Sequence, residues 1–132
     1  MRIDIQRLLA RMDDFASAVI DLVEVLPNTL VGRHIGGQLL RCGTSTAANY
    51  EEACAAESRA DFAHKMQIIL KEMRETRLWL RLIKRRKWPV AVKAEPLYIE
   101  SDELCRIFTK SVMTTKASLK AKAENPKTAA EL

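Results

Sequence analysis

Residues 61–87 read DFAHKMQIILKEMRETRLWLRLIKRRK, and their spacing decides the fold. The stretch contains no glycine or proline. At about 100° of rotation per residue, Phe62, Met66, Ile69, Met73, Thr76, Leu80 and Ile83 share one face, as in a helix packed against a core. Arg74, Arg77, Arg81, Lys84 and Arg85 fall on the adjacent arc. Ile68, Leu78, Trp79 and Leu82 form a third arc, with Glu72 and Glu75 among them. A helix is therefore expected over 61–87 with a core face, a basic stripe and a second apolar patch. That patch is too large to leave wet in a monomer, so Ile68, Leu78, Trp79 and Leu82 are expected to meet another copy of the chain.

The flanking sequence extends this reading to four helices. Over about 4–26, Ile5, Leu8, Met12, Phe15, Val19, Leu22 and Leu26 alternate at spacings of three and four, and Leu9, Ala16, Ile20 and Val23 widen the stripe. Asp4 can cap the start, and Leu26-Pro27 ends the helix because proline disfavours helical geometry in the residue before it. Over about 29–57 the stripe runs Ile35, Leu39, Cys42, Thr46, Asn49, Ala53 and Ala56. Its small side chains would let a neighbour approach closely, and Asn49 is expected to face inward and hydrogen-bond across the core. Gly36, Gly37 and Gly43 imply a kink or a tight crossing. Ser58 or Asp61 caps the third helix. Trp88-Pro89 stops it, and residues 88–98 read as a loop bounded by Pro89 and Pro96. Ser101 or Asp102 can cap a fourth helix over about 101–123, with Leu104, Ile107, Phe108, Ser111, Thr115 and Leu119 inward. The tail 125–132 has no apolar period. An all-α, antiparallel up-down four-helix bundle over residues 1–124 follows, assembling as a homo-oligomer.

Composition is consistent with one folded helical domain: 132 residues, 48% hydrophobic and 30% charged, with all four glycines between Gly32 and Gly43. The start, MRIDIQRLLARMDD, is interrupted by charge and is no signal peptide. No stretch approaches the roughly 18–20 apolar residues of a membrane span. Cys42, Cys54 and Cys105 are odd in number and form no CxxC pair, so reduced thiols in a cytoplasmic protein are expected.

The side chains for catalysis do not assemble along the sequence. His34 and His64 have no Glu three residues before them, which a di-metal carboxylate bundle requires. The glycines near Gly36 lack the lysine of a phosphate-binding loop. Glu51 and Glu52, like Glu72 and Glu75, read as surface acids or inter-helix ion pairs. No catalytic residue, metal ligand or cofactor site is expected. A metal-dependent enzyme built on scattered His, Cys and Glu is the weakest reading.

Charge is more informative. The chain carries +5 overall, but residues 1–26 carry −2, 27–60 balance, 61–87 carry +6, 88–98 balance and 99–132 carry +1. The excess belongs to one segment. Arg74, Arg77, Arg81, Lys84, Arg85, Arg86 and Lys87 are the candidate nucleic-acid contacts. Cations at a helix C-terminus also suit its dipole. With no interleaved stacking aromatics and no helix-turn-helix pattern, binding would be led by the phosphate backbone and weakly sequence-specific. The competing reading is a protein-interaction scaffold without a nucleic-acid role.

The stretch 38–83, QLLRCGTSTAANYEEACAAESRADFAHKMQIILKEMRETRLWLRLI, resembles the bacterial four-helix-bundle family named for proteins encoded in intervening sequences of 23S ribosomal RNA genes. The matching elements are Leu26-Pro27, Gln38-Leu39-Leu40-Arg41, Ser45, Ala48-Asn49, Glu52 and Asp61-Phe62, with Glu72, Glu75 and Trp79-Leu80 following. The resemblance covers roughly residues 5–120. It departs at Ala53, where many relatives have glycine, and at Tyr50-Glu51. It implies an up-down bundle that forms a homopentamer with no known catalytic activity. The related accessory variability determinants of diversity-generating retroelements imply nucleic acid and a reverse transcriptase as partners.

Overall fold

The computed structural model describes residues 4–124. Its elements are α1 (Ile5–Glu24), α2 (Leu30–Cys54), α3 (Arg59–Lys84), a 3-10 turn (Pro89–Lys93) and α4 (Ala94–Glu124). No strand occurs among the described residues, and the tail expected at 125–132 lies outside them. The chain forms a four-helix bundle in which α3 packs extensively against both α2 and α4, α1 packs against α2, and α1 meets α4 over a much smaller seam.

The helix starts follow from their capping side chains. The Asp4 carboxylate accepts from the Arg7 N–H at 3.2 Å, the Thr29 hydroxyl from Gly32 N–H at 3.1 Å and the Ser58 hydroxyl from Asp61 N–H at 3.0 Å. Each relieves a backbone donor with no partner inside its helix. The core is drawn from the expected faces. Leu8, Met12, Phe15, Val19 and Leu22 of α1 are buried, as are Met66, Ile69, Met73, Leu80 and Ile83 of α3. The buried hydroxyls of Thr46 and Thr76 donate to the carbonyls of Gly43 (3.0 Å) and Glu72 (2.8 Å) in their own helices, so neither is left unsatisfied.

One expectation about α2 is corrected, and another is narrowed to one of its two alternatives. The buried stripe runs from Thr46 to Tyr50 and Ala53, and Asn49 is only half-buried. Tyr50 takes the inward position because its ring meets Phe108 of α4 edge-on, with centroids 5.8 Å apart. The glycines mark a close approach, and α2 runs through all of them as one helix. A Cβ at Gly43 would lie 2.9 Å from Val19 Cγ1, whereas one at Gly37 would meet nothing within 4 Å.

The fourth helix begins seven residues before its expected cap. Residues 88–98 hold the 3-10 turn and the first turn of α4, not an open loop. Pro96 lies in that first turn, where its missing N–H removes no helical hydrogen bond. Ser101 is accordingly no cap: it is buried in mid-helix and donates to the Tyr98 carbonyl at 2.8 Å. Extending the helix adds Ala94, and the buried face also takes in Cys105 and Val112, outside the expected inner stripe.

Candidate nucleic-acid interface

The expected basic stripe divides into two groups. Arg74, Arg81, Arg85, Arg86 and Lys87 are exposed, and among the described residues none of them makes an ion pair. Arg77 and Lys84 turn toward α4 instead. Arg77 Nη1 lies 2.9 Å from Asp102 Oδ1. Lys84 Nζ lies 2.6 Å from Glu95 Oε2 and 4.2 Å from the centre of the Tyr98 ring, so its charge is held by a carboxylate and an aromatic face together. These two cations tie α3 to α4, and the other five face solvent.

The fourth helix supplies cations that the sequence reading missed. Arg106 and Lys110 lie one turn apart on α4 and face Arg74 and Arg77 of α3 across a groove of about 540 Å³, with Cys105 and Met113 also lining it. The groove therefore brings together four cations. Asp102 is the nearby carboxylate, paired with both Arg77 and Arg106. Those two pairings, Arg106 first, hold the Asp102 carboxyl below its ordinary range, so it stays ionised and its single charge leaves the site strongly positive. Burial pushes the Cys105 thiol up, while Arg77 and Arg74 act weakly the other way. A thiol held protonated is a poor nucleophile.

A signal for Arg106 and Lys110 was present in the sequence but was averaged away. Residues 99–132 sum to +1 because Glu100 and Glu103 stand beside Arg106 and Lys110 in the chain. In the fold the two groups point different ways. Glu100 accepts twice from Arg11 of α1, at 2.7 and 2.6 Å, and Glu103 lies 3.1 Å from the same guanidinium. Glu100 and Glu103 are thus consumed on the α1 side, which leaves Asp102 as the acid beside Arg106 on the side that faces α3.

The opposite edge of α3 is neutralised. Arg41 of α2 reaches Glu72 at 3.3 Å and Glu75 at 2.7 Å, and Lys65 reaches Glu52 at 3.4 Å. Of the two readings left open for these acids, Glu52, Glu72 and Glu75 take the inter-helix ion pair, and Glu51 is an exposed surface acid. The apolar candidates Ile68, Leu78, Trp79 and Leu82 are all half-buried within a single chain. Trp79 meets the His34 ring edge-on with centroids 5.9 Å apart, and its Nε1 is buried with no hydrogen-bond partner. Fuller apolar exposure lies elsewhere, at Leu30 (77%) and Val92 (75%). Cys42 and Cys105 are buried and Cys54 is exposed, all as free thiols. Among the described residues no group of three or more His, Cys, Asp or Glu converges as a metal site, and no helix is long and apolar enough to cross a membrane.

Comparison with known proteins sets this geometry in a family. A crystal structure of a protein of unknown function from the S23 ribosomal protein family of Bacteroides thetaiotaomicron superposes with a TM-score of 0.71 at 34% identity, covering 79% of this chain and 96% of that one. No curated protein matches the sequence. The family model described as 23S rRNA-intervening sequence protein matches residues 7–110. That span runs from the first turn of α1 through Lys110 of α4, so all four cations of the groove lie inside it: the chain belongs to the 23S rRNA-intervening sequence protein family.

Proposed function

We propose that this protein is a non-enzymatic cytoplasmic accessory protein that holds nucleic acid by its phosphate backbone. The observation that carries this reading is the groove in which Arg74 and Arg77 of α3 face Arg106 and Lys110 of α4. Exposed Arg81 and Arg85 continue the same positive face along α3. Such a surface releases condensed counterions when it meets phosphates, whatever the base sequence. Cations on two packed helices are also better fixed in space than a single solvated stripe, which favours a bound backbone over a mobile ion cloud.

The inter-helix pairs support an antiparallel up-and-down bundle, since Arg41 meets Glu75 while Glu52 meets Lys65. The homopentamer that the family resemblance implies would repeat the positive face around a ring. The half-buried patch of Ile68, Leu78, Trp79 and Leu82 is the surface that a contact between copies would cover. An assembly of that kind also suits the second reading, a scaffold that recruits a protein such as a reverse transcriptase.

Mobility shift of RNA and of DNA across a salt series separates the readings. Log affinity should fall linearly with log salt, at roughly 0.9 per phosphate contact on a duplex. Charge reversal of Arg81 and Arg85 together should weaken binding and flatten that slope. No binding of either nucleic acid at low salt would sink the proposal and leave the scaffold.

A further inference from the structure

The end of the bundle where α2 turns into α3 carries a second, chemically different cleft of about 870 Å³. Phe62, Met66 and Leu119 are among the apolar side chains that line it, and the start of α1 closes one side through Ile5. Two cations stand in this largely apolar setting. Arg59 reaches across to the Ser118 hydroxyl at 2.8 Å. Lys122 Nζ is buried and has no hydrogen-bond partner among the described residues. An ammonium nitrogen covered by protein, with three donors and no acceptor, is a costly arrangement in a folded chain. Lys122 is displaced accordingly: burial pushes its pKa down, and Arg59 adds to the effect. The first turn of α3 also faces this space through Arg59 and Ala60, whose backbone N–H groups precede the one that Ser58 caps.

We propose that this cleft binds an amphipathic monoanion of the fatty-acid type, with its carboxylate at Lys122 and Arg59 and its apolar chain along Phe62, Met66 and Leu119. The missing acceptor for Lys122 is what the head group supplies. Glu57 lies on the same rim, so the local excess is one positive charge, which matches a carboxylate better than a doubly charged phosphate. The large side chains Phe62, Met66 and Leu119 are what a phosphodiester backbone cannot use, and they set this cleft apart from the groove between α3 and α4, which four cations line. Its volume lies within the roughly 300–1,000 Å³ of small-molecule sites.

The test uses the full chain with decanoate, following the thermal midpoint and binding heat. Decanoate should bind saturably, one per chain, and raise the midpoint. Acetate, which is the head group alone, and decyltrimethylammonium, which has the same chain and the opposite charge, should do neither. Lys122→Met keeps the stem and removes the charge. It should weaken decanoate about tenfold and raise the midpoint of the ligand-free protein. Arg59→Gln, at an exposed position, should weaken it less. No decanoate binding, equal binding of decyltrimethylammonium, or undiminished binding to Lys122→Met would each overturn the proposal. Acetate binding with the same dependence on Lys122 would overturn its apolar half.

Discussion

Toward α2, the third helix presents Glu72 and Glu75, and Arg41 crosses the seam to pair with both. Toward α4, it presents Arg74 and Arg77, which face Arg106 and Lys110 with Asp102 as their nearby carboxylate. Both edges border the same buried row of Ile69, Met73, Thr76 and Leu80, so packing does not distinguish them. Charge does. One edge is a seam whose ions are spent on holding two helices together, and the other keeps cations in excess. The +6 of residues 61–87 is therefore a directional field, aimed outward from the α3–α4 side.

The largest expected effect comes from reversing charge on the α4 edge. Arg74→Glu with Lys110→Glu changes one residue on each wall of the groove, both exposed, so the bundle should stay folded. Nucleic-acid affinity at low salt should fall by roughly a hundredfold, and the salt slope should drop by about two contacts. Circular dichroism checks the fold and a mobility shift reads the affinity. An affinity within a factor of about three of the parent would erase the distinction between the two edges.

Much of this comparison was legible in the sequence, and the illegible part has identifiable causes. The core face of α3 follows from spacing alone and is observed except at Phe62, which is half-buried, while capping chemistry left Ser58 and Asp61 open and the structure uses Ser58. In α2, spacing could not choose between Thr46–Asn49–Ala53 and Thr46–Tyr50–Ala53, since each alternates three and four. The choice was made by Phe108, a residue of another helix, whose ring receives Tyr50. The start of α4 was hidden because Pro96 reads as a breaker everywhere except in a first turn. Half the groove was hidden for a further reason. A charge count treats Glu103 and Arg106 as cancelling, although one faces Arg11 of α1 and the other lines the groove with α3.

A smaller effect is expected on the α2 edge. Arg41→Met removes the shared partner of Glu72 and Glu75 while keeping the aliphatic stem. Arg41 is more than half exposed, and such pairs add little to stability. The thermal midpoint should fall by no more than about 3 °C, and nucleic-acid affinity should be unchanged at every salt concentration. A marked loss of binding with Arg41→Met would mean that the α2 edge takes part, and the contrast between the edges would have to be redrawn.

The smallest and most pointed effect belongs to Asp102. Its carboxylate restrains Arg77 and Arg106, so it competes with any phosphate for the same guanidinium groups. Asp102→Asn should raise nucleic-acid affinity about threefold at low salt and steepen the salt dependence slightly. The same change should lower the thermal midpoint a little at neutral pH, because two arginines lose their partner. The pH dependence has a definite sign. The Asp102 carboxyl is held below its ordinary range in the folded chain, so its stabilising contribution is present above about pH 4 and is lost as the pH falls further. The midpoint difference between parent and variant should therefore close in acid. If that difference were as large at pH 3 as at pH 7, with affinity unmoved, Asp102 would be a bystander to the arginines. The positive character of the edge would then rest on the number of its cations and owe nothing to how they are held.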